Sequence, residues 1–247
     1  MRSALAALRF AGFLALTALA GVGLVVTQGR ARAPLFRFWS RSLVRLLGIT
    51  VDVHGAAPPP GVALVANHLS YLDIVVLGSL LDAVFVAKAD VAGWPGIGAV
   101  ARRAGTIFID RTRKRDLVRV LPLVESELRG GRTVVFFPEG TSTAGAEILA
   151  FRSSLFAAPL RAGRPVACAA LHYTTDARDP HASLAVCWWG DMSFVPHLFA
   201  LMKLRGVRAT VSFPAETLWE EDRKRLASRA HDAVQKHWQP VLGGMRR

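Results

Sequence analysis

The chain has 247 residues, with 31 Lys plus Arg against 18 Asp plus Glu and a formal charge of +13, yet 52% of its residues are apolar and only 20% are charged. A balance that basic implies an acidic partner, nucleic acid or an anionic membrane surface. The apolar content and a mean hydropathy of +0.32 exclude a disordered polycation.

Residues 1–50 hold seven arginines and no acid (Arg2, Arg9, Arg30, Arg32, Arg37, Arg41, Arg45), and 102–119 holds seven more basic residues against Asp110 and Asp116. The remainder is close to neutral, so a globular body carries two local cationic features. Phe10 to Gln28 are free of charge, and at ~1.5 Å per residue such a helix approaches the thickness of a hydrocarbon core. Three readings stand: an anchor or membrane-dipping helix, a cleaved signal peptide ending near Ala18-Leu19-Ala20, or a buried helix. The apolar run continues through Val26, which speaks against cleavage. If the helix spans, the arginine excess behind it places the body in the cytoplasm.

Residues 35–47 set Arg37, Arg41 and Arg45 in one stripe, opposite Leu35, Phe36, Trp39, Leu43, Leu46 and Leu47. That is the pattern of a helix lying in a membrane interface, arginines toward lipid phosphates; the alternative is an amphipathic helix packed on the domain. The chain divides into an N-terminal segment, 1–48, and an α/β domain, 49–247, in which β-branched runs alternate with helix-length segments. Strands are expected near 50–54, 62–66, 83–87, 105–109, 133–137, 165–172, 183–188 and 207–213, and helices near 70–81, 95–103, 113–129, 152–162, 194–203 and 216–238. The only cysteines, Cys168 and Cys187, are too few for a paired metal site and read as buried reduced thiols in strands.

Strand 62–66 runs into Asn67-His68-Leu69-Ser70-Tyr71-Leu72-Asp73. Inside one helix, five residues would point His68 and Asp73 about 140° apart. They meet only if His68 lies in the loop before the helix, with Ser70 as N-cap and Asp73 as its third residue. Asp73 would then fix the imidazole tautomer, a base and its orienting acid without a protein nucleophile. Such a pair suits a substrate that brings its own hydroxyl. The bland alternative is that Ser70 and Asp73 only cap a helix.

A second loop, Pro138-Glu139-Gly140-Thr141-Ser142-Thr143, follows strand 133–137, and its N–H and hydroxyl groups could hold an oxyanion or phosphate. A third segment, Gly105 to Arg111, delivers Asp110 and Arg111 at a strand end, where Arg111 suits a phosphate. There is no Gly-x-Ser-x-Gly elbow, P-loop or dinucleotide fingerprint.

Taken together, Asn67-His68 to Asp73, Gly105 to Arg111 and Phe137 to Thr141 resemble, in order and separation, the first three motifs of the lysophosphatidate (1-acylglycerol-3-phosphate) acyltransferase family. These glycerolipid acyltransferases esterify a lysolipid hydroxyl from acyl-CoA or acyl carrier protein, and the resemblance covers about residues 60–175. It implies one α/β domain, a mixed sheet flanked by helices, behind membrane-associated N-terminal helices. By the same resemblance His68 deprotonates the acceptor, Asp73 orients the imidazole, and Asn67, Phe108, Asp110, Arg111, Glu139, Gly140 and Thr141 bind substrate. The alkoxide attacks the thioester directly, with no acyl-enzyme, no metal and no cofactor beyond the acyl donor. The implied partners are membrane lipids, acyl-CoA or acyl carrier protein and a lysolipid, not nucleic acid, at the cytoplasmic face of a membrane.

Two positions depart from the family pattern. Ser142 stands where the third motif carries arginine, and Cys168 where the fourth carries proline. The first removes a bidentate ligand for a phosphate monoester. The run Trp188 to His197 is similar to members acting on other lysolipids, including lyso-ornithine lipid. Readings of other classes are a non-catalytic lipid-binding protein on the same scaffold, or nucleic-acid binding through 102–119.

Overall fold

A computed structural model describes residues 2–27, 31–110, 112–113 and 115–242. Gln28, Arg30, Arg111 and Lys114 lie outside these.

Seven strands form one sheet in the order β1-β7-β6-β2-β5-β3-β4: β1 Ile49–His54, β2 Ala63–Ala66, β3 Ala83–Lys88, β4 Ile107–Ile109, β5 Thr133–Phe136, β6 Val166–Thr175 and β7 Val207–Ser212. All neighbours pair parallel except β6 with β7, so β2, β3, β4, β5 and β6 point their carboxyl ends to one edge. β2 and β5 are buried on both faces, which is why they read as unbroken apolar runs instead of alternating ones.

Leu64, Phe85, Val135, Leu171 and Tyr173 face a core built with α1 (Arg2–Val26), α2 (Arg32–Leu46), α3 (Leu72–Leu80), α4 (Ile97–Ala104) and α8 (Phe194–Met202). Val65, Val84, Val134, Phe136 and Cys168 face the opposite layer, α5 (Asp116–Arg129), α6 (Ala157–Ala162) and α9 (Arg223–His237). The mixed sheet between helical layers is the expected fold class.

The expected strand at 183–188 is absent. In its place α7 (Ala182–Ala185) is capped by the His181 side chain, which accepts from the Ser183 N–H. Cys187 is buried on the sheet's flank instead of within it. Its apolar neighbours pack against the first core, and an apolar run carries no period that separates these cases. The helix expected at 152–162 shortens to α6 because the Leu149 and Arg152 N–H groups donate to Glu139 and to the Pro138 carbonyl. The helix expected from 216 begins at Arg223, where Asp222 accepts from the Lys224 and Arg225 N–H groups, while Leu218 pairs with Val166 across a bridge.

The apolar arc of α2 is core: Phe36, Trp39, Leu43 and Leu47 are buried. This corrects the reading that places that arc in a membrane. A Cβ at Gly78 of α3 would stand 2.8 Å from the Phe36 ring and 2.9 Å from Ser40 Oγ, so the glycine admits α2. Arg41 Nε donates to the Ser79 carbonyl at 2.8 Å and Arg37 pairs with Asp82 at 3.5 Å, so two of the stripe's arginines tie α2 to the end of α3.

Helix α1 is long and apolar enough to cross a bilayer, but it lies along the domain. Ala6, Arg9, Phe13, Thr17, Ala20 and Leu24 are buried at helical spacing. Leu8, Leu14, Leu19, Val22, Val25 and Val26 on its other sides are exposed. Arg9 Nη1 donates to the carbonyls of Met202 and Leu204 at 3.1 and 2.6 Å, satisfying the C-terminal end of α8. Replacing Arg9 with Met leaves these buried carbonyls without their donor. Loss of about 2–3 kcal/mol of unfolding free energy is expected, read as a lower urea midpoint for the detergent-solubilised full chain, with Arg9→Lys retaining part of it.

Candidate active site

The loops leaving β2, β5, β3 and β4 gather at the carboxyl edge of the sheet, where ligands of open α/β sheets collect. His68 lies in the loop before α3, as its spacing to Asp73 requires. Its Nδ1 donates to Asp73 Oδ2 at 2.7 Å, leaving Nε2 as the basic nitrogen. The same carboxylate oxygen accepts from the Leu69 and Ser70 N–H groups at 2.7 and 3.0 Å, and Oδ1 accepts from the Tyr173 hydroxyl at 2.8 Å. Asp73 has no exposed surface. Burial and the adjacent carboxylate push the Tyr173 phenol well above its usual range, so it keeps the proton it donates. Ser70 is not the cap. Tyr71 holds that position, and the buried Ser70 hydroxyl has no partner among the described residues.

The third-motif loop stands against this dyad. The Phe137 ring stacks on the His68 imidazole, centroids 4.1 Å apart. Glu139 is buried, and Oε1 accepts the His68 N–H at 2.6 Å while Oε2 accepts the Leu149 N–H at 2.9 Å. Burial dominates over these two bonds and raises its carboxyl to about 7. Asn67 is likewise internal, donating to the Leu171 carbonyl at 3.0 Å and accepting its N–H at 2.7 Å. Gly140 turns at φ +81°, and a Cβ there would meet Arg152 Nε at 2.8 Å. Several donors expected to hold an oxyanion are used within the protein. The Gly140 N–H donates to the Phe137 carbonyl, that of Thr143 to the His68 carbonyl, and the Ser142 hydroxyl to the Trp188 carbonyl.

His68, Gly140, Thr141 and Ser142 line a cavity of about 370 Å³ with Lys88, Asp90, Tyr71, Trp94, Trp188, Trp189 and Phe194. Tyr71, Ile74, Ala87, Val91 and Trp94 are shared with a smaller apolar cavity of about 60 Å³ that reaches Phe36, Trp39, Leu43 and Leu198. The Tyr71 hydroxyl bonds His197 Nδ1 at 2.9 Å, and His197 Nε2 donates to the Cys187 carbonyl at 3.1 Å. Burial lowers the His197 pKa, consistent with a neutral ring that accepts at Nδ1.

The second motif lies farther out. Asp110, at the end of β4, accepts from the Thr112 N–H and hydroxyl at 3.0 and 2.6 Å, bonds that hold its carboxyl below its ordinary range. It lines a separate cavity of about 110 Å³ with Arg113 and Arg152, on the far side of Phe137 and Gly140. Phe108 is half-buried outside both cavity walls, its carbonyl accepting from Arg119 Nη2 at 2.6 Å. Arg111 lies outside the described residues.

Sequence reasoning missed Tyr173, Tyr71, His197, Lys88 and Asp90. Composition held one usable signal, since the chain has only two tyrosines and both hydrogen-bond within this site.

The family model described as Acyltransferase matches residues 50–172. The chain is 35% identical over 245 residues to a lyso-ornithine lipid O-acyltransferase of Rhodobacter capsulatus, covering 90% of this chain and 86% of that protein. It is 37% identical to a lyso-ornithine lipid O-acyltransferase of Pseudomonas aeruginosa, covering 86% and 80%. With a 1-acyl-sn-glycerol-3-phosphate acyltransferase of Neisseria meningitidis it shares 32% identity, covering 78% and 76%. Its fold is similar to the crystal structure of the 1-acyl-sn-glycerophosphate acyltransferase PlsC from Thermotoga maritima, with a TM-score of 0.64 over 96% and 98% of the two chains at 17% identity. The Acyltransferase match, these relatives and the motif order together place the chain in the glycerolipid O-acyltransferase family, of the lysophosphatidate and lyso-ornithine lipid type.

Proposed function

We propose that the chain transfers an acyl group from a thioester, acyl-CoA or acyl carrier protein, to the free hydroxyl of a lysolipid, with His68 as general base. The observation that carries this is the His68–Asp73 pair on a cavity that shares a wall with an apolar one. Nε2 takes the hydroxyl proton, and the alkoxide oxygen attacks the thioester carbonyl carbon. The tetrahedral adduct collapses with cleavage of the C–S bond, and the leaving thiolate recovers the proton from the imidazolium. Asp73 offsets the charge of the imidazolium while it exists, and no metal or cofactor is required. Asn67 and Glu139 act by holding the His68 loop, whereas Gly140 and Thr141 line the space the acceptor enters. The apolar cavity between α2, α3 and α4, about 60 Å³, takes only a short stretch of the acyl chain.

Among acceptors, the lyso-ornithine lipid type is favoured over lysophosphatidate. Ser142 supplies no cation where the family's arginine would, and its hydroxyl is committed to the Trp188 carbonyl. The exposed apolar residues of α1, with Val195 and Phe199 of α8, form an apolar surface joined where Phe10 meets Phe199 at 4.7 Å, and Val195 follows Phe194 of the cavity lining. Laid in the cytoplasmic leaflet of a membrane, that surface delivers the lysolipid from the bilayer.

His68→Ala is expected to lower acyl transfer by ~10²–10⁴-fold with an unchanged unfolding midpoint, measured as thiol release from acyl-CoA and from acyl carrier protein in the presence of lyso-ornithine lipid or lysophosphatidate. Wild-type rates in this variant would refute the dyad. Glu139 titrates at about 7 in the fold against 4.5 for an ordinary glutamate. The folded chain therefore holds this proton longer, and the associated stability, full below 4.5, is lost as pH rises to about 7. The unfolding free energy of wild type relative to Glu139→Gln should accordingly fall by up to about 3 kcal/mol across that interval and level off above it, followed by urea unfolding at a series of pH values.

A further inference from the structure

The dyad cavity carries one opposed pair of charges at its rim. Lys88, the last residue of β3, places Nζ 2.5 Å from Asp90 Oδ2, and their side chains are 55% and 66% exposed. Apart from the His68 ring, these are the only ionisable groups with a fixed charge among the described residues lining that cavity. Among the described lining residues these two charges cancel, although the chain carries +13. An ion pair this exposed contributes little to the fold, and each partner can exchange the other for a ligand group of the same sign at small cost.

The wall beside it is aromatic and fixed. Trp94 stacks on Phe194 with centroids 4.0 Å apart, Trp188 meets Trp94 edge-on at 5.5 Å, and Tyr71 meets Phe194 edge-on at 5.1 Å. Such faces favour a cation and its methylene stem over a strongly hydrated dianion. A phosphate monoester needs an excess of positive charge. Here Ser142 provides none, and the Asp90 carboxylate repels it.

We propose that Lys88 and Asp90 read the acceptor head group, and that the group they fit is a zwitterion: Asp90 takes an ammonium, Lys88 a carboxylate, and the indole faces cover the carbons between. This rests on the lysolipid acyltransferase reading above and specifies which residues set the acceptor class. Lyso-ornithine lipid satisfies it, with a side-chain ammonium and a free carboxylate. Lysophosphatidate lacks the ammonium.

The test is a cycle between protein and ligand charges. Wild type, Asp90→Asn and Lys88→Met are assayed in mixed micelles with lyso-ornithine lipid, the same lipid acetylated on its side-chain amine, and lysophosphatidate, following kcat and KM for each acceptor. For lyso-ornithine lipid, Asp90→Asn should raise KM by ~10-fold with kcat and the donor KM little changed, the scale of one charge-assisted contact. Acetylation should cost wild type a similar factor and cost Asp90→Asn little more, while Asp90→Asn should improve lysophosphatidate as acceptor. Lys88→Met should raise KM for lyso-ornithine lipid and its acetylated form alike. Additive losses from acetylation and Asp90→Asn, or an unchanged acceptor preference in both variants, would overturn the proposal while leaving the acyltransferase reading intact. Failure of wild type to acylate any of the three would overturn that reading, and this proposal with it.

Discussion

Asp73 is a carboxylate with no exposed surface, and a buried charge persists only where donors replace the water it has lost. Three of its donors come from consecutive groups of one loop, the His68 ring and the Leu69 and Ser70 N–H groups. The fourth, the Tyr173 hydroxyl, comes from β6, a hundred residues on. The site therefore depends on β6 lying beside β2, which the register Ala66 to Ala169 provides. Glu139 applies the same logic from the other neighbour of β2. It reaches the backbone of His68 from the loop after β5, so the histidine sits between two buried carboxylates, one bonded to β6 and one following β5, the strands that flank β2. Their mutual repulsion adds to the upward displacement of the Glu139 carboxyl. The arrangement fixes both the ring and the main chain of His68 before a substrate arrives.

The N-terminal helices, one of them long and apolar enough to cross a bilayer, share the core that carries the site. Their inward side chains, from Ala6 and Phe13 to Trp39 and Leu43, belong to the same core as Leu171 and Tyr173 of β6. Arg9 completes the attachment by serving the carbonyl end of α8, the helix that also brings His197 to Tyr71. A helix bound along its length in this way is suited to lie in one leaflet with its exposed leucines and valines in lipid. The early arginines then have different tasks: Arg9 is structural and buried, and Arg37 and Arg41 close the end of α3.

What the sequence made legible follows from how local each signal was. The dyad was readable because His68 and Asp73 are five positions apart at a strand exit, and the helical angle between them left one geometry in which they meet. The parallel core strands were readable because burial on both faces makes them continuous apolar runs. Residues 183–188 show the limit of that signal, since burial against a helical layer produces the same run without a strand. Tyr173 and the Glu139 bond to His68 depend on strand order, which no local pattern carries. The motif resemblance placed Asn67 and Glu139 among substrate-binding residues, whereas their polar atoms bond to main-chain groups of the protein.

The exchange of arginine for Ser142 has consequences beyond the loss of one charge. A guanidinium at this position would project its donors toward an anion. The serine hydroxyl instead donates to the Trp188 carbonyl, and the Trp188 N–H donates to the Leu69 carbonyl. Together these bonds draw the 188–190 segment across the loops of the first and third motifs. Trp188 then packs edge-on against Trp94 and Tyr71, and the three line the cavity together. The one serine thus brings no cation to the cavity lining and anchors part of its aromatic wall. An arginine at position 142 would supply a charge but also break the contact that holds Trp188, so the third-motif loop and the 188–190 segment form one structural unit.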